Sequence, residues 1–489
     1  TLNQTWPEGL AAVLGGAHGK SVGGTPPDPP SARNGREKHP MLGIGLYAAM
    51  VVGSAVIHYY LWVRLVRDTT RPGTRGRAWG TAAVAVSAVL APATRISIPY
   101  LGPVDGRWIA WPGYVLIGVL LYLLTGLAVA EVPRALLARR IRAEERAGAS
   151  VPAAAPAVAP EPVPAGAAAP VETRRGEPGE RGGAAGATGE PPARPSVATG
   201  GDTVTPAPRL VDRRLFLGRT VGAIVGATAL GTTGYGMSVA LGDPRIKRVP
   251  IVLPKLDPRA SGLRIAVVSD LHLGTMLGRS HTERVVRTIN GLEADMVAIV
   301  GDLADGTSRQ LGDAITPFRS LESRHGTYFA TGNHEYFYDD VEGWVGELRD
   351  LGVRPLLNER LTLTHNGAAV DLAGVEDVTG EEHGRGPDFD RALGGRDEAN
   401  PLVLLAHQPV LAEEASRNGV DLQLSGHTHG GQMFPLTAVA ALSNPVLSGL
   451  GKVGDTQVYV TNGTGFFGPP VRVGTAPDIS VIELRSPQD

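Results

Sequence analysis

Five short apolar segments, each followed directly by residues that can bind a metal ion, place the strongest constraint on how this chain folds. The segments are rich in β-branched residues and alternate with stretches of helical length, which is typical of βαβ units around a largely parallel sheet. In open α/β sheets, ligands bind at the carboxyl ends of strands, so residues distant in sequence meet in one pocket. We therefore expect one site built from five strand ends.

The polar residues at these strand ends are carboxylates, an amide and imidazoles. In chain order they are Asp270 and His272, then Asp302 and Asp305, then Asn333, His334 and Glu335, then His407, and finally His427 and His429. Cysteine is absent, which excludes disulfides, thiolate metal sites and a cysteine nucleophile. Oxygen and imidazole donors without thiolate favour Mn, Fe, Zn or Co over calcium or a structural zinc.

The candidate metal ligands are too many for the roughly four to six positions around a single ion. They are Asp270, His272, Asp302, Asn333, His407, His427 and His429. If Asp302 bridges, the same residues supply two divalent ions about 3.5 to 4 Å apart. The sequence therefore predicts a dinuclear transition-metal site and leaves the identity of the metals open.

The order of the motifs resembles the calcineurin-like metallophosphoesterase family. The motifs are Asp270-Leu-His272, Gly301-Asp-Leu-Ala-Asp305, Gly332-Asn-His-Glu335 and Gly426-His-Thr-His-Gly-Gly-Gln432, with His407 between the last two. The resemblance covers residues 264–489 and leaves the preceding part of the chain unexplained. It implies an α/β fold, a four-layer α/β/β/α sandwich of two mixed sheets between helices, with the metals at one edge.

The resemblance also implies a role for each site residue. Asp270, His272 and His429 would hold the first metal, Asn333, His407 and His427 the second, and Asp302 would bridge them. Asn333 and His334 would bind the substrate phosphate, and His334 would protonate the leaving group while Asp302 takes part in catalysis. Asp305 would support the site without binding metal. No ligand is missing, so an active hydrolase of phosphoric ester bonds is expected.

Residues 41–142 predict a membrane region with about three helices. The apolar runs 42–63 and 109–130 are long enough to cross a hydrocarbon core of about 30 Å. The run 79–93 is close to the lower limit of about 17 residues, so it either spans the membrane or forms one arm of a re-entrant hairpin.

The segments around this region differ in composition. Residues 1–40 lack an apolar period and predict a disordered arm, and residues 143–212 form a linker rich in Ala, Pro and Gly. Arg213 and Arg214 precede a mildly apolar segment, so residues 213–242 form either a fourth membrane helix or a twin-arginine export signal. Residues 245–489 are the predicted metallophosphoesterase domain.

Arginine-rich loops at 64–77 and 134–146 predict the orientation, because basic loops stay in the cytoplasm. That rule gives a multi-pass protein of the cell membrane with an extracytoplasmic catalytic domain. Apolar residues in 431–450 and 463–470 either form a rim that meets lipid or pack as ordinary loops.

The sequence leaves three functions open. The preferred one is a membrane-anchored metallophosphoesterase that uses dinuclear-metal-activated hydroxide on a phosphate ester, with a phosphodiester favoured and a lipid-linked substrate possible. The alternatives are a UDP-2,3-diacylglucosamine-type pyrophosphate hydrolase and a membrane receptor that binds a phosphorylated ligand without turnover. The net charge is −2 and no basic aromatic stretch accompanies the motifs, so no nucleic acid partner is expected.

Overall fold

A computed structural model describes residues 40–149 and 209–489. Helices α1 (Pro40–Leu61), α2 (Arg75–Asp105), α3 (Arg107–Ala149) and α4 (Arg209–Ala240) precede the sheets. The predicted N-terminal arm, apart from Pro40, and most of the predicted linker lie outside the described residues. Because α3 continues to Ala149, the described helix extends a few residues into the segment predicted as linker.

Four segments of the described helices are long and apolar enough to cross a membrane. They are Tyr47–Arg67, Arg75–Ile98, Arg107–Leu136 and Leu215–Ala240. The second is 24 residues long because the helix continues past the apolar run at both ends, and that length is sufficient for a full span.

The helices α3 and α4 pack together through Leu120, Leu127 and Val225. At one end of this bundle, Arg64 forms an ion pair of 2.8 Å with Glu131, and the Arg219 side chain donates to the Thr69 carbonyl. The arginine-rich connections therefore gather at a single end of the bundle.

Two six-stranded sheets form the rest of the chain. The strands are β1 (Arg245–Val252), β2 (Arg264–Val268), β3 (Met296–Val300), β4 (Thr327–Ala330), β5 (Val353–Pro355), β6 (Glu359–His365), β7 (Ala368–Gly374), β8 (Leu402–Leu405), β9 (Leu422–Ser425), β10 (Gly449–Val453), β11 (Thr456–Val460) and β12 (Asp478–Arg485). The strand orders are β1-β12-β2-β3-β4-β5 and β10-β11-β9-β8-β7-β6. Strands β2 to β5 are parallel, as are β7, β8, β9 and β11. Antiparallel pairing occurs between β12 and β2 in the first sheet, and between β6 and β7 and between β10 and β11 in the second.

The sheets pack face to face and helices cover their outer faces. Ile265 of β2 and Leu424 of β9 belong to the core between the sheets. On one side lie α5 (Arg279–Asn290), α6 (Ser308–Ile315) and α8 (Val341–Asp350), and on the other α9 (Phe389–Leu393) and α10 (Ala412–Arg417). The short helices α7 (His334–Phe337) and α11 (Leu436–Ser443) lie in loops. The predicted four-layer α/β/β/α sandwich is confirmed.

Central strands were easier to predict than edge strands. Strands β2, β3, β8 and β9 are buried on both faces and therefore read as continuous apolar runs. The edge strand β1 carries exposed charged residues, and β10 is interrupted by glycine, so neither has a strand pattern of its own. Pairing with β12 and β11 makes them strands.

Candidate metal centre

The loops that follow β2, β3, β4, β8 and β9 meet at one edge of the sandwich, as the parallel order of these strands requires. Several site residues there adopt left-handed backbone angles that are uncommon outside glycine. Asp270, His272, Asp302, His427 and His429 have φ between 45° and 69°. Such strain concentrates at functional sites, because the surrounding structure must hold the residues in place.

The first group of candidate ligands contains Asp270, His272 and His429, all buried. The Nε2 atoms of the two histidines are 3.0 Å apart, and Oδ1 of Asp270 lies 3.4 Å from Nε2 of His429. Three donor atoms therefore face one small volume, as metal coordination requires.

The second group contains Asp302, His407 and His427. Oδ2 of Asp302 lies 3.2 Å from Nε2 of His407 and 3.7 Å from Nε2 of His272, so Asp302 stands between the two groups. Oδ1 of Asn333 lies 2.9 Å from Nδ1 of His427. The structure thus brings all seven sequence-predicted ligands together.

His407 shows that this arrangement fits a cation. Its Nδ1 atom donates to the carbonyl of Val300 over 2.7 Å, which leaves Nε2 as the atom with a free lone pair. That Nε2 is buried and makes no hydrogen bond within the described residues. Its nearest acceptor, Oδ2 of Asp302 at 3.2 Å, is not aligned for a hydrogen bond, and a metal ion between the two would bind both atoms.

The charges of the site are strongly coupled. Burial raises the pKa of Asp270, whereas for Asp302 the neighbouring imidazoles, His407 first, outweigh burial and hold the pKa well below its usual range. In turn, these carboxylates outweigh the effect of burial on His407 and raise its pKa well above normal. Metal ligands must be deprotonated, so cations compete with protons at this cluster.

His334 lies beside the two groups and contacts Asp305. Its Nδ1 atom is 2.8 Å from Oδ1 of Asp305, and its Nε2 atom is 3.9 Å from Oδ2 of Asp302. Burial lowers the pKa of His334, but the carboxylates of Asp302 and Asp305 outweigh it and raise the pKa to about 9. In the metal-free site the carboxylates therefore favour the protonated imidazole, the form that a general acid requires.

Glu335 was part of a recognised motif, but its function was not predicted. Its buried carboxylate accepts hydrogen bonds from the backbone N–H groups of Gly332, Asp302 and Leu303, at 2.6, 3.1 and 2.8 Å. Burial, followed by the charge of Asp302, raises the pKa of Glu335 to about 7. Glu335 joins the loops after β3 and β4 and thereby positions Asp302.

Arg472 was missed entirely, because nothing in its sequence setting marks it. The side chain is completely buried and donates to the carbonyls of Gly465 and His429, at 3.1 and 3.0 Å. It holds the segment 465–472 against the loop that carries His429.

The mouth of the site is aromatic. The ring of Phe467 lies 5.6 Å from that of His272 and 5.1 Å from that of His334, and Phe337 lies 4.9 Å from His334. The side chains of Phe467 and Phe337 are 41% and 56% exposed.

The apolar rim predicted for 431–450 and 463–470 divides into two parts. Met433 and the neighbouring Val471 pack against Tyr122 of α3 and Ala229 of α4, so loop packing against the membrane helices accounts for this part. Phe434 and the apolar residues of α11 are exposed.

Comparison with known proteins agrees with this geometry. A family model described as calcineurin-like phosphoesterase matches residues 263–431. A transmembrane protein with metallophosphoesterase domain from Danio rerio is 42% identical over 260 residues, covering 51% of this chain and 60% of that protein. An uncharacterized metallophosphoesterase from Helicobacter pylori is 37% identical over 258 residues, covering 52% of this chain and 68% of that protein.

Among solved structures, the calcineurin-like phosphoesterase YfkN from Bacillus subtilis aligns with a TM-score of 0.28 and 15% identity, covering 41% of this chain and 81% of that one. The fold and the site define the class of domain, a calcineurin-like phosphoesterase domain. The chain belongs to the calcineurin-like metallophosphoesterase family. Its apolar helices also make it a membrane protein.

Proposed function

We propose that this chain is a membrane-anchored phosphodiesterase that depends on two divalent transition-metal ions. The observation that carries the proposal is that two sets of candidate ligands have their donor atoms within 4.8 Å of one another. One set is Asp270, His272 and His429, and the other is Asp302, His407 and His427. Asp270, His272 and His429 would hold one ion, and Asn333, His407 and His427 the other. Bound divalent ions offset the repulsion between an anionic ester and hydroxide and make hydroxide available near neutral pH.

The remaining residues supply orientation and a proton. Asn333 and His334 face the position of the phosphate, and the charged His334 imidazole donates a proton to the leaving oxygen. Asp305 fixes the ring of His334 and, through the same oxygen, the ring of His272. These roles need no nucleophilic side chain, since water is the second substrate.

A diester is favoured over a monoester because the mouth is apolar. Phe467 and Phe337 flank His334, where the leaving group departs, and both remain partly exposed. Aromatic surface next to the reacting phosphate suits an ester with an organic substituent on either side.

The charge distribution supports a multi-pass topology with an extracytoplasmic catalytic domain. Glu131, which pairs with Arg64, lies about 25 Å along α3 from Tyr114. Tyr114 borders the sandwich. The basic end and the catalytic domain therefore lie roughly one membrane thickness apart, and basic ends stay in the cytoplasm.

The absence of native cysteine makes this topology simple to test. Asp455→Cys lies in the exposed turn after β10, and Pro72→Cys lies in the exposed loop between α1 and α2. An impermeant maleimide applied to intact cells is expected to label only the first variant. Labelling of the second variant alone would reverse the orientation.

Turnover by the purified full chain tests the function. After removal of metals with a chelator, the chain receives Mn²⁺ or Zn²⁺ and is assayed with p-nitrophenyl phosphate and bis(p-nitrophenyl) phosphate. We expect metal-dependent hydrolysis with preference for the diester. Tight metal binding without hydrolysis of any ester would instead support the receptor alternative.

A further inference from the structure

A membrane helix places a positive charge beside the candidate active site. Arg95 belongs to α2, within the span Arg75–Ile98. Its guanidinium carbon lies 5.4 Å from the ring centre of Phe467, and Nη1 donates to the hydroxyl of Tyr114 over 3.3 Å. Charged residues in membrane helices are costly and are retained mainly where they serve a function.

Phe467 connects Arg95 to the catalytic residues. The same ring contacts His334 and His272, so the guanidinium lies one aromatic ring away from both imidazoles. Tyr338 lies near both Asp305 and Arg95. Burial and then the charge of Asp305 raise the pKa of Tyr338, whereas the charge of Arg95 lowers it.

Arg95 is available to a ligand. Among residues 40–149 and 209–489 it has no carboxylate partner, and it is exposed. Arg64, at the opposite end of the bundle, is by contrast paired with Glu131 and Asp68. A guanidinium has five N–H donors, and the hydrogen bond to Tyr114 uses one of them. The remaining N–H groups of Arg95 can donate to phosphate oxygens.

The depth of Arg95 points to a lipid. Tyr100 and Trp108, each 76% exposed, flank the connection between α2 and α3, where aromatic residues mark the membrane interface. Arg95 lies about 8 Å from Tyr100 along the helix, on the side of the hydrocarbon. A phosphate group bound there would belong to a molecule whose tail remains in the bilayer.

We propose that Arg95 is a substrate-binding residue that binds the anionic headgroup of a membrane phospholipid. The active site is then formed by the membrane helices and the sandwich together. The proposal rests on the phosphodiesterase function and adds the substrate class. Arg95 would bind the phosphodiester, which carries the headgroup's negative charge, at the mouth of the site, one aromatic ring from the metal centre to which the phosphate then moves. The acyl chains follow α2 into the membrane.

The test compares the full wild-type chain with Arg95→Gln, Arg95→Lys and a control, Arg107→Gln. Arg107 is also exposed at this end of the bundle, but it stacks on Trp108 and not on Phe467. Hydrolysis of bis(p-nitrophenyl) phosphate with Mn²⁺ is measured in detergent micelles under three conditions. The micelles contain phosphatidylglycerol or phosphatidylcholine, or soluble glycerol phosphate is added to the buffer. Thermal unfolding in detergent shows that each variant is folded.

Phosphatidylglycerol is expected to inhibit the wild type more strongly than the other two compounds. Arg95→Gln should weaken that inhibition about tenfold, Arg95→Lys should weaken it less, and Arg107→Gln should leave both turnover and inhibition unchanged. Equal inhibition of wild type and Arg95→Gln would overturn the proposal. A comparable loss for glycerol phosphate would assign Arg95 to soluble phosphate esters and overturn the lipid class.

A second measurement does not depend on turnover. Native mass spectrometry of the full chain counts the phosphatidylglycerol molecules that remain bound after release from micelles. The wild type and Arg107→Gln are expected to retain lipid that Arg95→Gln loses, and equal retention would refute the role of Arg95. If the wild type hydrolyses no ester but shows this difference, the phosphodiesterase function fails while the lipid site stands.

Discussion

One carboxylate oxygen of Asp305 lies 2.8 Å from Nδ1 of His334 and 2.9 Å from Nδ1 of His272. The first histidine is the proposed proton donor and the second is a proposed metal ligand. Because Nδ1 of each ring faces Asp305, the Nε2 atoms of both rings are directed into the site. Asp305 therefore links the geometry of metal binding to that of proton transfer.

Replacement of His334 by alanine is expected to reduce turnover by about 10²- to 10⁴-fold, the range for loss of a general acid, while bound metal stays the same. The loss should depend on the leaving group. A p-nitrophenyl ester, which needs little protonation, should lose much less activity than an alkyl ester. Equal losses for both esters would show that His334 has another role.

Replacement of Asp305 by asparagine should cost about 10- to 100-fold in activity, since residues that orient metal ligands typically contribute that much. The effect should largely disappear in the His334→Ala background if Asp305 acts mainly through His334. A double-mutant cycle measures this coupling. Additive losses would place the main effect of Asp305 on His272 and metal binding.

Much of the metal centre could be predicted because strand ends are local sequence features. Each central strand is an apolar run, and Asp302 or His407 follows its strand within two residues. Parallel pairing then brings these residues to one edge without further information. The sandwich and the convergence of the seven ligands follow from the same pattern.

The remaining features depend on tertiary contacts. Glu335 positions Asp302 through backbone hydrogen bonds, which no residue pattern encodes. The proximity of Arg95 to the site depends on how the loop 466–473 docks against the membrane helices. There the backbone of Arg472 donates to Gly236, and Val471 lies so close that a side chain at Gly236 would collide with it.

Gly463→Ala tests how tightly the first metal group is packed. Gly463 has φ of 74°, and an added Cβ would lie 2.5 Å from Cβ of Asp270. We expect destabilisation by about 1 kcal/mol or more from the backbone alone, together with displacement of Asp270 and loss of metal affinity. Gly449→Ala is the control, because φ is 76° but no atom lies within 4 Å. It should lose stability but keep its metals.

Asp302→Asn tests the shared ligand. Loss of its negative charge should lower the bound metal from roughly two ions per chain to one or fewer and abolish turnover. Elemental analysis of the purified full chain provides the count. Asp313→Asn, on the exposed face of α6, should retain the wild-type metal content. A full metal complement in Asp302→Asn would exclude a bridging role.

The buried side chain of His281 is expected to make the free energy of unfolding depend on pH in the acidic range. It is 3% exposed, Nε2 has no hydrogen-bond partner within the described residues, and Arg284 faces its Nδ1. Burial, followed by the charge of Arg284, lowers the pKa of His281 from 6.5 to about 4. Between these values the unfolded chain binds a proton that the folded chain does not, so the free energy of unfolding falls as the pH falls.

The loss attributable to His281 is expected to reach about 3 kcal/mol near pH 4 and to be absent above pH 7. His281→Gln removes the titrating group, so its unfolding temperature should decline less steeply between pH 6.5 and pH 4 than that of the wild type. Both proteins are measured in a chelator, because acid also releases metal. Between pH 7 and pH 8 their difference should be constant, and parallel curves down to pH 4 would disprove the assignment.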